Sequence, residues 1–456
     1  MRISLDHIIA ANRHPLNIAV IGTGIAGMSA AWLLDQGHQV TVFEKNSRIG
    51  GHSNTVDAPT ERGSMPVDTG FIVYNEINYP NLTALFEHLQ VPTKDSEMSF
   101  AASLDDGSFE YAGTDLNGLL GQRSNVVRPR FWSMIRDLLR FYRDAPALLD
   151  DPTSSDLNLD EYLRRENYGK DFIRDHLLPM GAAIWSTTAE EMAAYPAQAF
   201  VRFFVSHGLL NITNRPQWRT VDGGSRAYVE RLTAGYRNRI RHGGVRAIRR
   251  KNGKVVVEDH TGTKTEFDEV VIATHADEAL RLLDDPSDAE RELLGAWRYT
   301  ENRAVLHTDT SLMPKRARVW SSWNFIGGET TSGDRQAALC VTYWMNRLQS
   351  LDPASPLFVT LNPHRDPAAG KIIGEFDYTH PFFDRAALAS QEKLWTLQGN
   401  RHTWFCGSYF GYGFHEDALQ AGLAVAEQLG GSKRPWSVPD ESGRIHLTAP
   451  TQVAAE

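Results

Sequence analysis

At 456 residues, with 41% hydrophobic and 23% charged residues, the chain is longer than one ordinary core can organise, so two lobes of a globular soluble protein are expected. A net charge of −9, from 47 basic against 56 acidic residues, excludes a dedicated nucleic-acid binder. Two cysteines, Cys340 and Cys406, exclude a disulfide framework and a cysteine zinc site, fit a reducing compartment, and leave no metal site to predict.

No run of 18 apolar residues occurs, so no membrane span is expected. The first fifteen residues carry Asp6, Asn12, Arg13 and His14 rather than an apolar signal core. A cytoplasmic location follows as the expectation, with membrane association left open.

The first strong unit is a buried parallel strand at 18–21, a Gly-rich turn, a helix over 25–36 ended by Gly37, and a second strand at 40–43. The turn, Gly22-Thr23-Gly24-Ile25-Ala26-Gly27, is G-x-G-x-x-G, and the second strand runs into Glu44, 17 residues after Gly27. Gly22 permits the tight turn, Gly24 lets backbone approach a pyrophosphate, and Gly27 lets helix and strand pack closely. The helix start offers unpaired N–H groups and the positive dipole end to phosphates, and Glu44 suits ribose hydroxyls. A dinucleotide site is the reading; a Gly-containing turn that binds nothing is the alternative.

From about 91 to 216 helical stretches dominate, with amphipathic segments at 130–149, 160–166 and 190–204 and few strand signals. Strands return at 245–248, 255–258 and 270–273, with Asn252-Gly253 marking a hairpin. A β-rich region includes 304–307, 338–343 and 358–361. The last element is a helix over 416–429, closed by Gly430 and Gly431, before a tail that reads as loosely ordered after Lys433.

Arg48-Ile49-Gly50-Gly51-His52 follows Glu44 at once, and Asp68-Thr69-Gly70 comes soon after. On these residues the chain resembles the flavin-containing amine-oxidase and phytoene-desaturase superfamily, whose R-x-G-G turn lies against the FAD pyrophosphate and whose D-x-G segment approaches the flavin. Val221 to Ser225, Val245, residues 267–274 and Trp404 to Ser408 with Gly411 to His415 resemble later motifs of that family in order. His307-x-Asp309, Ser322-Trp323-Asn324 and Gly413 to Asp417 are similar to bacterial NAD/FAD-binding proteins near lipid-modifying enzymes.

The resemblance implies an α/β fold: an FAD-binding Rossmann-like (three-layer ββα) domain interleaved with a mixed-sheet and helical substrate domain. It divides the chain into 1–90, 216–285 and 401–432 for FAD, 91–215 and 286–400 for substrate, and 433–456 as a C-terminal tail. The implied FAD contacts are Gly22, Gly24, Ile25, Ala26, Gly27, Glu44, Lys45, Arg48, Gly50, Gly51, His52, Asp68, Thr69, Gly70, Val245, Ala273, Gly407, Ser408, Gly413, Phe414 and His415. Two departures stand out. Ser408 replaces the family's ribityl-binding acid, and no lysine lies between Lys264 and Lys315, where amine oxidases hold water beside flavin N5.

Aromatic residues crowd the later half, among them Trp323, Tyr343, Tyr378, Tyr409 and Tyr412, and read as an apolar pocket over the flavin or as core. His415, before the flavin-facing helix, and Tyr412 are the candidate catalytic residues; His52, His275, His307 and His380 are further polar candidates. The expected function is an FAD-dependent oxidoreductase, a desaturase or oxidase that removes a hydride from a hydrophobic, lipid-like substrate. A flavin amine oxidase and a non-catalytic or NAD-linked dinucleotide-binding module are the alternatives. Arginines interleave with apolar residues over 128–148, a pattern that fits either peripheral contact with a membrane or an ordinary half-buried helix.

Overall fold

The structure, a computed structural model, describes residues 14–154, 156–327 and 340–447. Its nucleotide-type unit starts as the local rules dictate. Strand β1 (Asn17–Ile21) is apolar and buried, helix α1 (Ile25–Leu34) buries nine of its ten residues, and β2 (Gln39–Glu44) returns parallel to β1. The chain comes back much later to extend this sheet with Ile240–His242, Glu269–Ile272 and Thr403–Phe405. All four pairings are parallel, so the strand ends that carry the Gly-rich turn and Glu44 face one edge.

The C-terminal helix (His415–Leu429) packs across α1, and a single glycine makes the crossing tight. A Cβ on Gly422 would sit 2.2 Å from the Ala26 carbonyl oxygen and 2.5 Å from Ser29 Oγ. This contact brings the start of the last helix to the turn after β1. Gly430, at φ +116°, ends the helix as the sequence predicts. Asn252 (φ +55°) and Gly253 (φ +70°) likewise form the expected hairpin turn between Val245–Lys251 and Lys254–Asp259.

A seven-stranded mixed sheet forms the second half, in the order Ile372–Phe382, Arg298–His307, Phe358–Leu361, Val341–Trp344, Trp323–Ile326, Phe100–Leu104, Phe109–Ala112. Its pairings are antiparallel except that of Trp323–Ile326 with Phe100–Leu104. Helix Pro129–Asp144 packs on it through Phe131 and Met134 against Phe109 and Tyr111, and helix Leu178–Trp185 lies against Trp323–Ile326.

Three expectations need correction. Residues 91–216 hold three strands, at Thr93–Ser96, Phe100–Leu104 and Phe109–Ala112, where few strand signals were read among the helical stretches. The helix predicted over 190–204 is two, Ala189–Ala193 and Ala197–Ser206, because Pro196 cannot donate the interior hydrogen bond. Residues 433–447 are docked rather than loose. Arg434 is buried against Glu427 and Asn81, Trp436 stacks on Trp32 at 5.9 Å, and Arg444 reaches Asp417. Of the strand expected over 338–343, residues 338 and 339 lie outside the described residues; the strand is seen at Val341–Trp344.

Candidate active site

A cavity of about 690 Å³ runs from the β1–α1 turn to the face of the mixed sheet. At one end Gly22, Gly24, Ile25 and Ala26 line it together with Glu44, Lys45, Arg48 and Val245. Gly24 has extended backbone (φ −63°, ψ 170°), and an added Cβ would meet nothing within 4 Å, so open space lies over the turn. The second glycine turn fits against the first, with a Cβ on Gly51 falling 2.9 Å from Gly24 Cα. Glu44 braces the turn by accepting hydrogen bonds from the Thr23 amide (3.1 Å), the Thr23 hydroxyl and the Asn46 amide (2.9 Å). Arg48 donates to the Gly51 carbonyl oxygen at 2.7 Å.

At the middle of the cavity, Thr69, Gly70, Ala273, Gly407, Ser408, Tyr412, Gly413, Phe414 and His415 line the wall with His52. Three of the sequence-predicted positions lie behind it. Gly27 is a packing residue: a Cβ there would stand 2.1 Å from the Gly22 carbonyl oxygen. Gly50 turns the chain at φ +113°. Asp68 is buried and faces away, accepting from the Ser225 amide and hydroxyl, the Thr55 hydroxyl and Gln349 Nε2. Burial pushes the Asp68 carboxyl up to about 6, opposed by those hydrogen bonds.

His415 stacks on Phe71 at 3.8 Å, and its Nε2 is engaged by Tyr228 Oη at 2.8 Å and Ser53 Oγ at 3.2 Å. Burial brings its imidazole down to about 3. With that nitrogen occupied, the ring is placed to shape the site. Tyr412 lies near the Arg444 guanidinium, 6.0 Å from the ring centroid.

Sequence reasoning named His52, His275 and His380 separately; the fold gathers them. The His52 ring lies 5.3 Å from His380 and 6.4 Å from His275. Burial, then mutual repulsion, keeps His52 well below the ordinary histidine range, and burial brings His380 to about 4. The Asn302 amide donates to His380 Nδ1 at 3.1 Å and to the Thr300 carbonyl oxygen, which leaves the His380 proton on Nε2. Asn302 lies on Arg298–His307, the strand where amine oxidases carry lysine. His307 lies outside the cavity, bonded to Thr360 Oγ1 at 2.7 Å.

Five buried polar atoms of cavity-lining residues have no hydrogen-bond partner among the described residues: His52 Nε2, Trp185 Nε1, His207 Nε2, Trp323 Nε1 and Tyr409 Oη. Such groups are costly when unpaired. Open space above Gly24 and the paired glycine turns fit a dinucleotide, and the cavity continues beyond it. Among the described residues no cluster of three metal-ligating side chains occurs.

The family described as flavin containing amine oxidoreductase matches residues 25–364. The chain belongs to that family. As a flavin-containing amine oxidoreductase family member it is by class an FAD-dependent oxidoreductase. Its fold is also that of solved relatives: the fatty acid isomerase from P. acnes that produces CLA (TM-score 0.64, 17% identity, covering 91% of this chain and 98% of that one) and cyclohexylamine oxidase from Brevibacterium oxydans IH-35A (0.64, 16%, 91% and 99%). The FAD-dependent oxidoreductase dbaF of Emericella nidulans is 32% identical over 155 residues, 33% of this chain and 31% of its own length. The chain spans less than a third of the curated relatives it matches first.

The buried histidines give this family member a pH signature. Above pH 6.5 they are neutral whether folded or unfolded and contribute nothing. Between 6.5 and about 4 the unfolded chain takes up protons that His176, His307 and His380 refuse, and His207 and His415 refuse to about 3. Asp68 opposes this, since the fold keeps its proton up to about 6 while the unfolded carboxyl loses it above 3.8. Each unmatched proton costs about 1.4 kcal/mol per pH unit. The urea midpoint of the flavin-free protein is expected to fall steadily from pH 6.5 to 4; a flat profile would mean these rings are hydrated.

Proposed function

We propose that this chain is a flavin desaturase or oxidase whose substrate is hydrophobic and lipid-like. The observation that carries this reading is the cavity beyond His52, lined by Met98, Phe100, Met180, Ile184, Phe203, Leu209 and the indoles of Trp185, Trp218 and Trp323. A surface of this kind excludes water and gains from burying a long apolar chain. The likeness to a fatty acid isomerase agrees with it. The absence of lysine from Arg298–His307, with Asn302 buried in that strand, argues against the amine-oxidase chemistry suggested by cyclohexylamine oxidase.

FAD would be held by the turn at Gly22 to Ala26, Glu44, Arg48 and Gly51, and would supply a two-electron hydride acceptor. The apolar wall keeps water from the reacting carbon. Phe414 and His415 open the last helix, whose dipole favours negative charge at that end of the cavity. His380, locked by Asn302, holds a proton at Nε2. His52, beside His380 and kept neutral by burial, is the group assigned to take the substrate proton. Residues 1–90, 216–285 and 401–432 are proposed as the FAD-binding unit, 91–215 and 286–400 as the substrate unit.

Two measurements test this. Purified protein mixed anaerobically with total lipid extract is expected to lose its flavin absorbance near about 450 nm, a property of the cofactor. No bleaching by any lipid fraction, with hydrogen peroxide released from a panel of amines, would give the reaction to the amine-oxidase alternative. His52→Ala is expected to lower turnover by about 10²- to 10⁴-fold with FAD content unchanged; full activity would remove His52 from the proton path.

A further inference from the structure

On helix Pro129–Asp144 the buried side chains are Phe131, Met134, Asp137 and Phe141, yet the opposite face is not simply polar. Trp132, Arg136, Leu139 and Arg143 stand at i, i+4, i+7 and i+11, one narrow stripe, with Trp132 51% and Leu139 47% exposed. Val126 and Val127, just before the helix, and Val205, on Ala197–Ser206, are exposed as well. Ile212, 67% exposed, lies on the loop that follows.

That loop links the stripe to the active site. Leu139, Tyr142 and Arg143 form an outer groove with Leu210 to Asn214, while Leu209 and Arg215 line the inner cavity. Seven consecutive residues, 209–215, thus touch both the groove and the cavity. Charge is matched to the surface: residues 126–144 and 197–215 carry seven arginines and two aspartates in a chain whose net charge is −9. Arg136 and Arg140 share Asp137, Arg143 pairs with Asp144 and Arg130 with Asp105 and Asp175, whereas Arg128, Arg202 and Arg215 have no carboxylate partner among the described residues.

We propose that this face docks on an anionic lipid bilayer, with Trp132, Leu139, Val205 and Ile212 entering the headgroup boundary and loop 209–215 as the passage to the cavity. The inference rests on the lipid-like substrate reading and names where that substrate is taken up. Exposed aromatic and aliphatic side chains set among arginines are the combination an interfacial helix uses, apolar burial and headgroup attraction acting together.

The test uses the full-length FAD-loaded protein and vesicles of phosphatidylcholine alone, or mixed with phosphatidylglycerol, made with saturated ether-linked chains and read by sedimentation. Wild type is expected to prefer the mixed vesicles by about tenfold or more, and to lose that preference at high salt. Leu139→Asp and Ile212→Asp, on separate elements, are each expected to weaken binding at least about tenfold, and Arg136→Gln with Arg143→Gln about fivefold per arginine. Flavin absorbance and unfolding midpoint should not move, because these side chains are exposed. Wild type that ignores the mixed vesicles, variants that bind like wild type, or a dimer that Ile212→Asp dissociates would each overturn the proposal. Turnover of detergent-dispersed lipid is scored separately and decides the substrate reading whichever way docking falls.

Discussion

Gly24→Val is expected to yield a folded, colourless protein, whereas Gly27→Val, three residues on, should not fold. Gly24 already has the backbone of an ordinary extended residue, and a Cβ there points into empty space. The fold therefore loses little. That empty space is the proposed pyrophosphate seat, where two extra methyl groups would stand between the phosphates and the amides at the start of α1. FAD affinity should drop by about a hundredfold or more, equivalent to about 2.8 kcal/mol. Gly27 fails for a different reason. Its Cβ would overlap the Gly22 carbonyl oxygen at 2.1 Å and press on Ala273 Cβ at 3.0 Å, so strand and helix must part at the centre of the sheet. Overpacking of this kind costs about 3 kcal/mol or more. Flavin absorbance after reconstitution and the urea midpoint separate the two cases. A Gly24→Val protein that binds FAD like wild type would put the cofactor elsewhere.

What the sequence disclosed here was local. The G-x-G-x-x-G turn, the Asn252-Gly253 hairpin and the Gly430 stop are each set by a few consecutive residues, and each is seen where expected. Contacts made across the chain were not legible. Phe100–Leu104 reads F-A-A-S-L, too short and small-residued to signal a strand; it pairs with Phe109–Ala112 across a short turn and with Trp323–Ile326, more than 200 residues on. His52, His275 and His380 look like three scattered histidines until the turn after β2, the turn after Glu269–Ile272 and the edge strand Ile372–Phe382 bring their rings together. The charged tail misled for the same reason. Arg434 and Arg444 resemble solvent-facing residues, and their partners, Asn81, Glu427, Asn78 and Asp417, lie 7 to 366 residues away. Cooperative placement of this sort leaves no periodicity to read.

Glu416 should prove as important to stability as any residue of the cofactor turn, although no ligand contact is assigned to it. Its side chain is fully buried. One carboxylate oxygen accepts from the Asn81 amide (3.1 Å), Asn81 Nδ2 (2.8 Å) and Gln420 Nε2 (3.0 Å), and the other from the Leu82 amide (3.0 Å). Asn81 and Leu82 lie in the first turn of helix Pro80–His88, so an anion from the last helix caps the positive end of another. Asn81 Oδ1 in turn accepts from Arg434 Nη1 and Trp436 Nε1, which ties the tail to the same node. Glu416→Ala strands two backbone and two side-chain donors in the interior, for an expected loss of about 3–5 kcal/mol. Glu416→Gln keeps the shape but turns an amide donor on donors, for about 1.5–3 kcal/mol. Because the same residue lies in the first turn of the helix that meets the cavity, FAD retention should fall in the order wild type, Gln, Ala. Asn81→Ala combined with Glu416→Ala should cost clearly less than the two losses summed, since both cut one network. Strict additivity would mean that Glu416 acts through its own helix alone and that the tail is seated independently of it.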